Sequence, residues 1–369
     1  MALVKQVKFG NAGLKVSPVV VGCMSYGSKS WSPWVLDDKE QVFEILKYCY
    51  DRGLRTFDTA DVYSNGKSER LLGEFLKHYN INRETVVILS KVRFGVDESL
   101  ELPLSALYTT DEQTALTLAN QGGLSRKHIL DGVAKSVERL GTYIDVLQIH
   151  RADPDTPMEE TMKALNDVIE RGDVRYIGAS TMKATEFVEM QYIAEKHNWF
   201  KFVSWQSCYN LLYREDEREV IPFAKKHNIA LIPWSPNARG LLTRPLGETT
   251  ARSQADQRLH NIPDEDKEII KRVQKVAEEK GVSMAQVSSA WVMSKGCYPI
   301  VGLSSVERVD EIIEGLTLSS PMTKSPIWRN YTNQNHNISC VWKCSEFFLY
   351  AQGGGDLLKD STLPKLTSK

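Results

Sequence analysis

Four residues of different chemical type stand at or just after the ends of three successive apolar segments. Asp58 and Tyr63 lie in RTFDTADVYSNGKSE, Lys91 ends VVILSK, and His150 ends IDVLQIH. An acid, a phenol, an amine and an imidazole that meet at one place could deliver a proton to a carbonyl oxygen. The carbonyl carbon would need a hydride, which no side chain can supply and a nicotinamide cofactor can. The residue types therefore point to carbonyl reduction, provided that the fold brings them together.

Eight short segments rich in β-branched residues predict the strands that would position this set. They are Val19–Cys23, Arg55–Thr59, Val86–Lys91, Ile144–His150, Val174–Ala179, Phe202–Gln206, Ala230–Trp234 and Pro299–Gly302. Helical segments separate them, which implies parallel strands with right-handed crossovers. Eight repeats favour a closed α/β architecture, the (β/α)8 TIM barrel, over an open sheet. No G-x-G-x-x-G follows an early strand to support the open form.

Local patterns also predict elements around the barrel. The segment VKFGNAGLKVS alternates apolar and polar residues around a Gly/Asn turn, which predicts an N-terminal β-hairpin. Residues 37–53 carry one apolar stripe and end at Gly53, as a helix with a glycine C-cap would. Residues 125–141 predict a second helix that begins at Ser125 as N-cap and stops at Gly141.

Two long connections and the final residues depart from the repeat. Residues 92–124 and 235–263 would lie over the carboxyl ends of the strands, where this fold places its active sites. After Leu318 the sequence shows no clear period. We therefore expect a barrel domain over residues 1–318 and an irregular, poorly ordered C-terminal tail over residues 319–369.

The composition limits the partners and the compartment of the protein. The 369 residues carry a formal net charge of -1, so neither nucleic acid nor an anionic membrane is expected as a partner. The N-terminus lacks the pattern of a secretory signal, and no apolar run reaches the length of a membrane span. Six scattered cysteines are typical of free thiols in a reducing compartment. We expect a cytoplasmic protein, and no protein partner is evident.

One set of residues in the tail has the composition of a metal site. His336, Cys340 and Cys344 recur at four-residue intervals. A tetrahedral zinc site needs four ligands in a fixed geometry, and the irregular tail offers no frame for them. We expect these residues to be incidental and the protein to bind no metal.

The strings around the first four residues resemble those of the aldo-keto reductases. DTADVYSNGKSE and LQIHR carry this resemblance, which extends from about Phe9 to about Leu316. It is closest to the branch of the fungal aryl-alcohol dehydrogenases and the potassium-channel β-subunits. The resemblance implies a nicotinamide cofactor and a small-molecule carbonyl or alcohol substrate.

The resemblance also assigns a role to each of the four residues. Tyr63 would be the proton donor, and Lys91 would lower the pKa of its phenol from ~10 toward ~7, which needs roughly 4 kcal/mol. Asp58 would pair with Lys91, and His150 would donate a hydrogen bond to the substrate oxygen. Each residue alone is more often structural, as a cap, a packed ring, an exposed amine or a satisfied imidazole. Their positions at consecutive strand ends favour the joint role.

The same resemblance implies a set of cofactor-binding residues near the carboxyl ends of several strands. They are Gly22, Met24, Asp58, Ser180, Thr181, Gln206, Tyr209, Trp234, Ser235, Pro236, Arg239, Gly240, Gly302, Ser304, Arg308 and Glu311. Ser180, Thr181 and Gln206 would hold the carboxamide of the cofactor. Tyr209 would stack on its nicotinamide ring. Arg308 would bind a 2′-phosphate, which favours NADPH (NADP+) over NADH.

Aromatic residues in two loops predict the substrate pocket. Tyr26, Trp31 and Trp34 follow the first strand, and Phe94 follows Lys91. Aromatic walls suit apolar aldehydes, including aryl aldehydes, whose reverse reaction is the oxidation of aryl alcohols.

Two other functions stay open at this point. Kinship with channel β-subunits predicts, as the alternative, an NADPH-binding regulatory or interaction module with little turnover. A hydrolase on the same barrel is less well supported, because HRADPD offers only one histidine near acids. Tight cofactor binding without turnover would favour the regulatory module.

Overall fold

The computed structural model describes residues 3–107, 110–249, 253–254, 256, 259 and 261–318. It begins with an antiparallel hairpin of β1 (Val7–Lys8) and β2 (Lys15–Val16), as the sequence predicts. The other strands are β3 (Val20–Gly22), β4 (Thr56–Asp58), β5 (Val87–Val92), β6 (Ile144–Ile149), β7 (Val174–Ser180), β8 (Phe202–Gln206), β9 (Ala230–Leu231) and β10 (Ile300–Gly302). These eight strands lie in one parallel sheet, in the order β10-β3-β4-β5-β6-β7-β8-β9. Each coincides with one of the eight predicted segments.

Two backbone hydrogen bonds close this sheet into a barrel. Tyr298 N donates to Leu231 O, and Ile300 N donates to Pro233 O, each over 2.8 Å. Pro233 has no N–H with which to donate in return, so fewer backbone hydrogen bonds join β9 to β10 than join the other neighbouring strands. The same proline explains why β9 ends before Trp234, where the sequence predicts its end. The expected (β/α)8 barrel is therefore confirmed.

Helices follow the strands around the barrel. They are α1 (Lys39–Asp51), α2 (Lys67–His78), α3 (Glu112–Leu118), α4 (Arg126–Leu140), α5 (Met158–Glu170), α6 (Ala184–His197), α7 (Val220–Lys226), α8 (Asp264–Lys280), α9 (Met284–Ser294) and α10 (Val306–Gly315). Single 3-10 turns occupy Cys23–Ser25, Arg83–Thr85, Leu104–Leu107, Glu215–Glu217, Ala238–Gly240 and Leu316–Leu318. Ser125 caps α4 through a hydrogen bond from His128 N, and Gly141 ends that helix at φ +67.

The hairpin covers the amino end of the barrel. Phe9 and Val16 share an apolar cluster with Val20, Leu89 and Val146 of the barrel strands. A larger cluster joins the outer faces of the strands to the surrounding helices. Because one end of the barrel is covered, the carboxyl ends of the strands are left to form a site.

Several expectations fall on other parts of the chain. The tail over residues 319–369, with His336, Cys340 and Cys344, lies outside the described residues, so the division at residue 318 stays a prediction. Among the described residues, no helix is long and apolar enough to cross a membrane. The described residues also contain no cluster of three or more histidine, cysteine or carboxylate side chains that could hold a metal ion.

A buried ion pair joins α2 to α4 behind strand β5. Arg139 Nε lies 2.7 Å from Glu69 Oε2, and both side chains are at most 2% exposed. Ser90 Oγ donates to the other carboxylate oxygen of Glu69 over 2.5 Å. The charges of Arg139 and Glu69 are thus paired and hydrogen-bonded, as buried charges must be in a stable fold.

We predict that Arg139→Met lowers stability by about 3–5 kcal/mol, because Glu69 would remain buried without its cation. The midpoint of thermal unfolding, followed by circular dichroism, should fall by several degrees. Glu138→Ala is the matched control, because that side chain is 72% exposed and makes only a long surface ion pair. The control should change stability by less than about 1 kcal/mol. Equal midpoints for the two variants would contradict the prediction.

Candidate active site

The barrel brings Asp58 and Tyr63 into direct contact with Lys91. Asp58 ends β4, Lys91 lies near the end of β5, and Tyr63 lies in the loop after β4. Lys91 Nζ is 2.6 Å from Asp58 Oδ1 and 3.3 Å from the Tyr63 hydroxyl. It also donates to the Thr59 carbonyl over 2.8 Å. The ammonium therefore has three oxygen partners, which is the full hydrogen-bonding capacity of a lysine.

Two amide side chains hold the other oxygen of Asp58. Gln206 Nε2 of β8 lies 2.8 Å from Asp58 Oδ2, and Gln148 Nε2 of β6 lies 3.3 Å from it. Gln206 Nε2 also donates to Gln148 Oε1 over 2.9 Å. The carboxylate is thus fixed from three strands of the barrel, and it fixes Lys91 in turn.

The charges around Tyr63 act on its pKa in opposite directions. Burial raises the pKa of the phenol above its usual value of 10.0, the Lys91 ammonium lowers it, and Asp58 raises it. The effect expected of Lys91 is present, but burial is larger, so the net shift is upward rather than toward neutrality. Burial also opposes the charge on Lys91, yet Asp58 and Tyr63 outweigh it and raise the pKa of that amine. Near neutral pH, the phenol keeps its proton and the amine its charge.

His150 directly follows β6 and lies beside the same phenol. Its ring centroid is 5.8 Å from that of Tyr63 and 5.1 Å from that of Phe94. Burial, together with Arg151 and Lys91, lowers its pKa well below the usual range. The imidazole is therefore neutral at pH 7 and carries one N–H. Its Nδ1 is buried without a hydrogen-bond partner among the described residues, a state that favours a functional role over a purely structural one.

The loops that carry the site contain most of the unusual backbone. Nine described residues other than glycine have a positive φ. Three are asparagines at or just after helix ends, at positions 80, 198 and 228. The other six all follow strands β4, β7 and β9 on the carboxyl face: Ser64, Asn65, Thr181, Ser235, Ala238 and Arg239. Such conformations are costly for residues with a side chain and concentrate at functional sites.

A cavity of about 800 Å³ opens at this face of the barrel. Asp58, Tyr63, Lys91 and His150 are together called the tetrad. All of them line the cavity except Lys91, which is fully buried. Of the predicted cofactor residues, the structure also places Gly22, Met24, Ser180, Gln206, Trp234, Ser235, Pro236, Arg239, Gly240, Gly302, Ser304 and Arg308 along its walls. Its size lies within the range of ligand pockets.

Three predicted cofactor residues do not line this cavity. The hydroxyl of Tyr209 points to Glu217 Oε1 at 2.5 Å, and its ring packs 5.2 Å from that of Trp291. Thr181 accepts a hydrogen bond from Trp234 Nε1 over 3.1 Å. Glu311 lies one turn beyond Arg308 in α10. The stacking role assigned to Tyr209 is therefore not supported by its position. Trp234, an aromatic residue that also follows a strand, does line the cavity.

Of the four residues predicted for the substrate pocket, three line the cavity and one does not. Trp31, Trp34 and Phe94 line the cavity, and the Trp31 ring lies 6.2 Å from that of Tyr63. Tyr26 is only 1% exposed, and its hydroxyl donates to the Leu303 carbonyl over 2.5 Å. Tyr26 therefore joins the loop after β3 to the residue that follows β10, and it does not line the cavity.

One end of the cavity is cationic. Arg239, Arg244 and Arg308 line it, and Arg239 pairs with Asp256 over 2.9 Å. No described carboxylate lies within ion-pair distance of Arg244 or Arg308. Burial and the nearby charge of Arg308 lower the pKa of Arg244. Arg244 was not predicted from the sequence, because no motif around it indicates that this arginine in a long loop lines a site.

The donor groups fit a phosphate-bearing nicotinamide cofactor. Arginines without carboxylate partners at one end suit phosphate oxygens, since guanidinium binds them bidentately. Ser180 and Gln206 line the same cavity, and Gln206 contacts Asp58. Cationic and amide groups together match a molecule that carries phosphates and a polar ring.

Comparison with known proteins agrees with this geometry. The model of the aldo/keto reductase family matches residues 18–325. A Saccharomyces cerevisiae protein named "Putative aryl-alcohol dehydrogenase AAD16" is 63% identical over 324 residues, or 86% of this chain and 94% of that protein. The Schizosaccharomyces pombe protein "Putative aryl-alcohol dehydrogenase C977.14c" is 53% identical over 319 residues, or 84% and 90% of the two chains. Versiconal hemiacetal acetate reductase of Aspergillus parasiticus is 50% identical over 313 residues, or 83% and 90%. The chain belongs to the aldo/keto reductase family.

Proposed function

We propose that this protein reduces aldehydes and ketones to alcohols with NADPH, and that Tyr63 is the proton donor. The observation that carries the proposal is the hydroxyl of Tyr63, which lies 3.3 Å from the buried Lys91 ammonium at the wall of the cavity. Family membership and the names of the relatives support carbonyl chemistry.

The residues of this chain would divide the proton chemistry among them. A bound nicotinamide would supply the hydride. Tyr63 would give its proton to the carbonyl oxygen as negative charge develops there. Lys91 would stabilise the phenolate that remains, because an adjacent positive charge favours the ionised form. The neutral His150 would donate its N–H to the same oxygen and orient it.

The hydrogen bonds already in use limit how Gln206 could hold a cofactor. Both amide hydrogens of Gln206 are donated, to Asp58 and to Gln148. Gln206 therefore has only its oxygen left, which could accept from the amino group of a carboxamide. Ser180 lines the same wall, and the indole of Trp234 would lie against the ring. This assignment replaces Tyr209 with Trp234 as the stacking residue.

The cationic end supports NADPH rather than NADH. Arg308 and Arg244 line the cavity together, and an anion between them would offset the repulsion between their charges. A 2′-phosphate, present only in NADPH, supplies that anion.

Aromatic walls support aryl aldehydes as substrates. Trp31 lies beside Tyr63 and Phe94 beside His150, where the substituent of a bound aldehyde would lie. Trp34 packs against Trp31 and lines the same cavity. Two relatives are named as aryl-alcohol dehydrogenases, which agrees with an aromatic substituent.

We predict that Tyr63→Phe lowers kcat/KM for benzaldehyde by about 10²–10⁴-fold, the usual contribution of a positioned acid. Binding of NADPH, followed by quenching of tryptophan fluorescence, should change by less than about threefold, since the ring is retained. Tyr192→Phe, at a residue that is 67% exposed on α6, is the matched control and should match the wild type. Full turnover in Tyr63→Phe would reject Tyr63 as the donor. Tight NADPH binding by the wild type without turnover of any aldehyde would favour the regulatory module.

The raised pKa of Tyr63 predicts different pH dependences for the two directions of the reaction. Reduction needs the protonated phenol and should be nearly constant between about pH 6 and about pH 9. Oxidation of benzyl alcohol needs the phenolate and should rise toward alkaline pH, by up to about tenfold per unit. Initial rates in both directions test this, with circular dichroism at each pH to show that the protein stays folded. Oxidation that falls as the pH rises would contradict the prediction.

Arg308→Met and Arg244→Met should each raise KM for NADPH by about 10- to 100-fold, because each removes charged hydrogen bonds to a phosphate. KM for NADH should change by less than about threefold. Arg171→Met is the control, because Arg171 is an exposed residue between α5 and β7 at the amino end of the barrel. Equal losses with NADH and NADPH would show that these arginines do not read the 2′-phosphate.

A further inference from the structure

A second, smaller cavity adjoins the catalytic one. Its volume is about 160 Å³, and it lies under the loop that follows β5. Four side chains line both cavities: Trp31, Val62, Phe94 and Leu107. The two spaces are therefore adjacent, and these four side chains border both of them.

The shared side chains stand beside the groups that would do the chemistry. Trp31 has its ring centroid 6.2 Å from that of Tyr63, and the Phe94 centroid is 5.1 Å from that of His150. A carbonyl group placed at Tyr63 and His150 would thus direct its substituent toward these two rings. A substituent longer than one ring would reach the second cavity.

Most of the side chains that line the second cavity are apolar. Beyond the shared side chains it is formed by the aliphatic groups of Leu102, Pro103, Ala106 and Leu118, with Gly95, Gly122 and Gly123. The two polar side chains that line it already have partners. Asn65 donates to the Asp97 and Leu100 carbonyls over 2.7 Å and accepts from Asp97 N. Arg93 donates to the Ala152 carbonyl, and its guanidinium lies 5.0 Å from the centre of the Phe94 ring.

We infer that the second cavity holds the outer ring of a two-ring aromatic carbonyl whose reacting group lies at Tyr63 and His150. A cavity of about 150 Å³ is large enough for benzene, and this one has a volume of about 160 Å³. This inference rests on the proposed carbonyl reduction and adds the class of substrate. The substrate gains affinity because its second ring leaves water for contact with the apolar side chains of this cavity.

The test compares benzaldehyde with 4-phenylbenzaldehyde in the full-length protein with NADPH. We expect kcat/KM for the two-ring aldehyde to exceed that for benzaldehyde by about tenfold or more, since even one buried methylene gives about 10-fold or greater discrimination. Ala106→Leu, which fills the second cavity, should remove most of this ratio and leave benzaldehyde within about twofold. Ser105→Leu is the matched control, because it adds the same side chain at the exposed neighbouring position and should preserve the ratio. Leu118→Phe fills the same cavity from α3 and should have the same effect on the ratio. It keeps the test possible if Ala106→Leu does not fold.

Three results would overturn the inference. The first is a wild-type ratio near one while benzaldehyde is reduced, which rejects the second-ring site and leaves the proposed function intact. The second is an equal loss of both aldehydes in a folded cavity-filling variant. The third is reduction of neither aldehyde, which rejects the proposed function together with the inference.

Discussion

The whole site depends on one buried ammonium group. Lys91 has no exposed side-chain surface, and it stays charged because Asp58 lies 2.6 Å away and two further oxygens accept its remaining hydrogens. An unpaired charge at this depth would be strongly unfavourable. The position of Tyr63 is tied to that pair, since its hydroxyl is the third acceptor. The ion pair therefore fixes the acid group in place as well as influencing its proton.

Closure of the barrel makes this arrangement possible. Asp58, Gln148 and Gln206 come from strands β4, β6 and β8, which are not neighbours in the sheet, and they meet only because the sheet curls into a cylinder. An open sheet would hold these side chains several strand widths apart. The network across the barrel interior is thus both part of the core and the foundation of the site. The hairpin covers the other end of the barrel, so substrate and cofactor would approach the carboxyl face.

The sequence predicted the features that depend on local pattern. Runs of β-branched residues located all eight strands, and the residues at the strand ends located the four groups of the tetrad. Their joint catalytic role stays a prediction, because proximity alone does not show turnover. The upward net shift in the pKa of Tyr63 was missed, because the depth of burial is a property of the folded molecule and not of the motif.

Other residues were misplaced because their partners are distant in the chain. Tyr26 was predicted to line the substrate pocket, but its hydroxyl donates a hydrogen bond to the carbonyl of Leu303, 277 positions further along the chain. Tyr209 and Trp234 both closely follow a strand, and the sequence does not show which of the two faces the barrel axis. The structure turns Tyr209 outward to Glu217 and Trp291, and leaves Trp234 at the cavity. Arg244 was missed because the conformation of its loop, rather than a motif, brings it beside Arg308.

The most direct test of the account is the pKa of the Tyr63 phenol with and without its neighbouring charge. Tyrosine labelled with ¹³C at the ζ carbon would report ionisation by NMR, with the Tyr63 resonance identified by its absence in Tyr63→Phe. The account predicts a higher pKa in Lys91→Met than in the wild type, because the ammonium is lost while Asp58 remains. An unchanged or lower pKa in Lys91→Met would contradict the account, because it would show that the Lys91 ammonium does not lower the pKa of Tyr63.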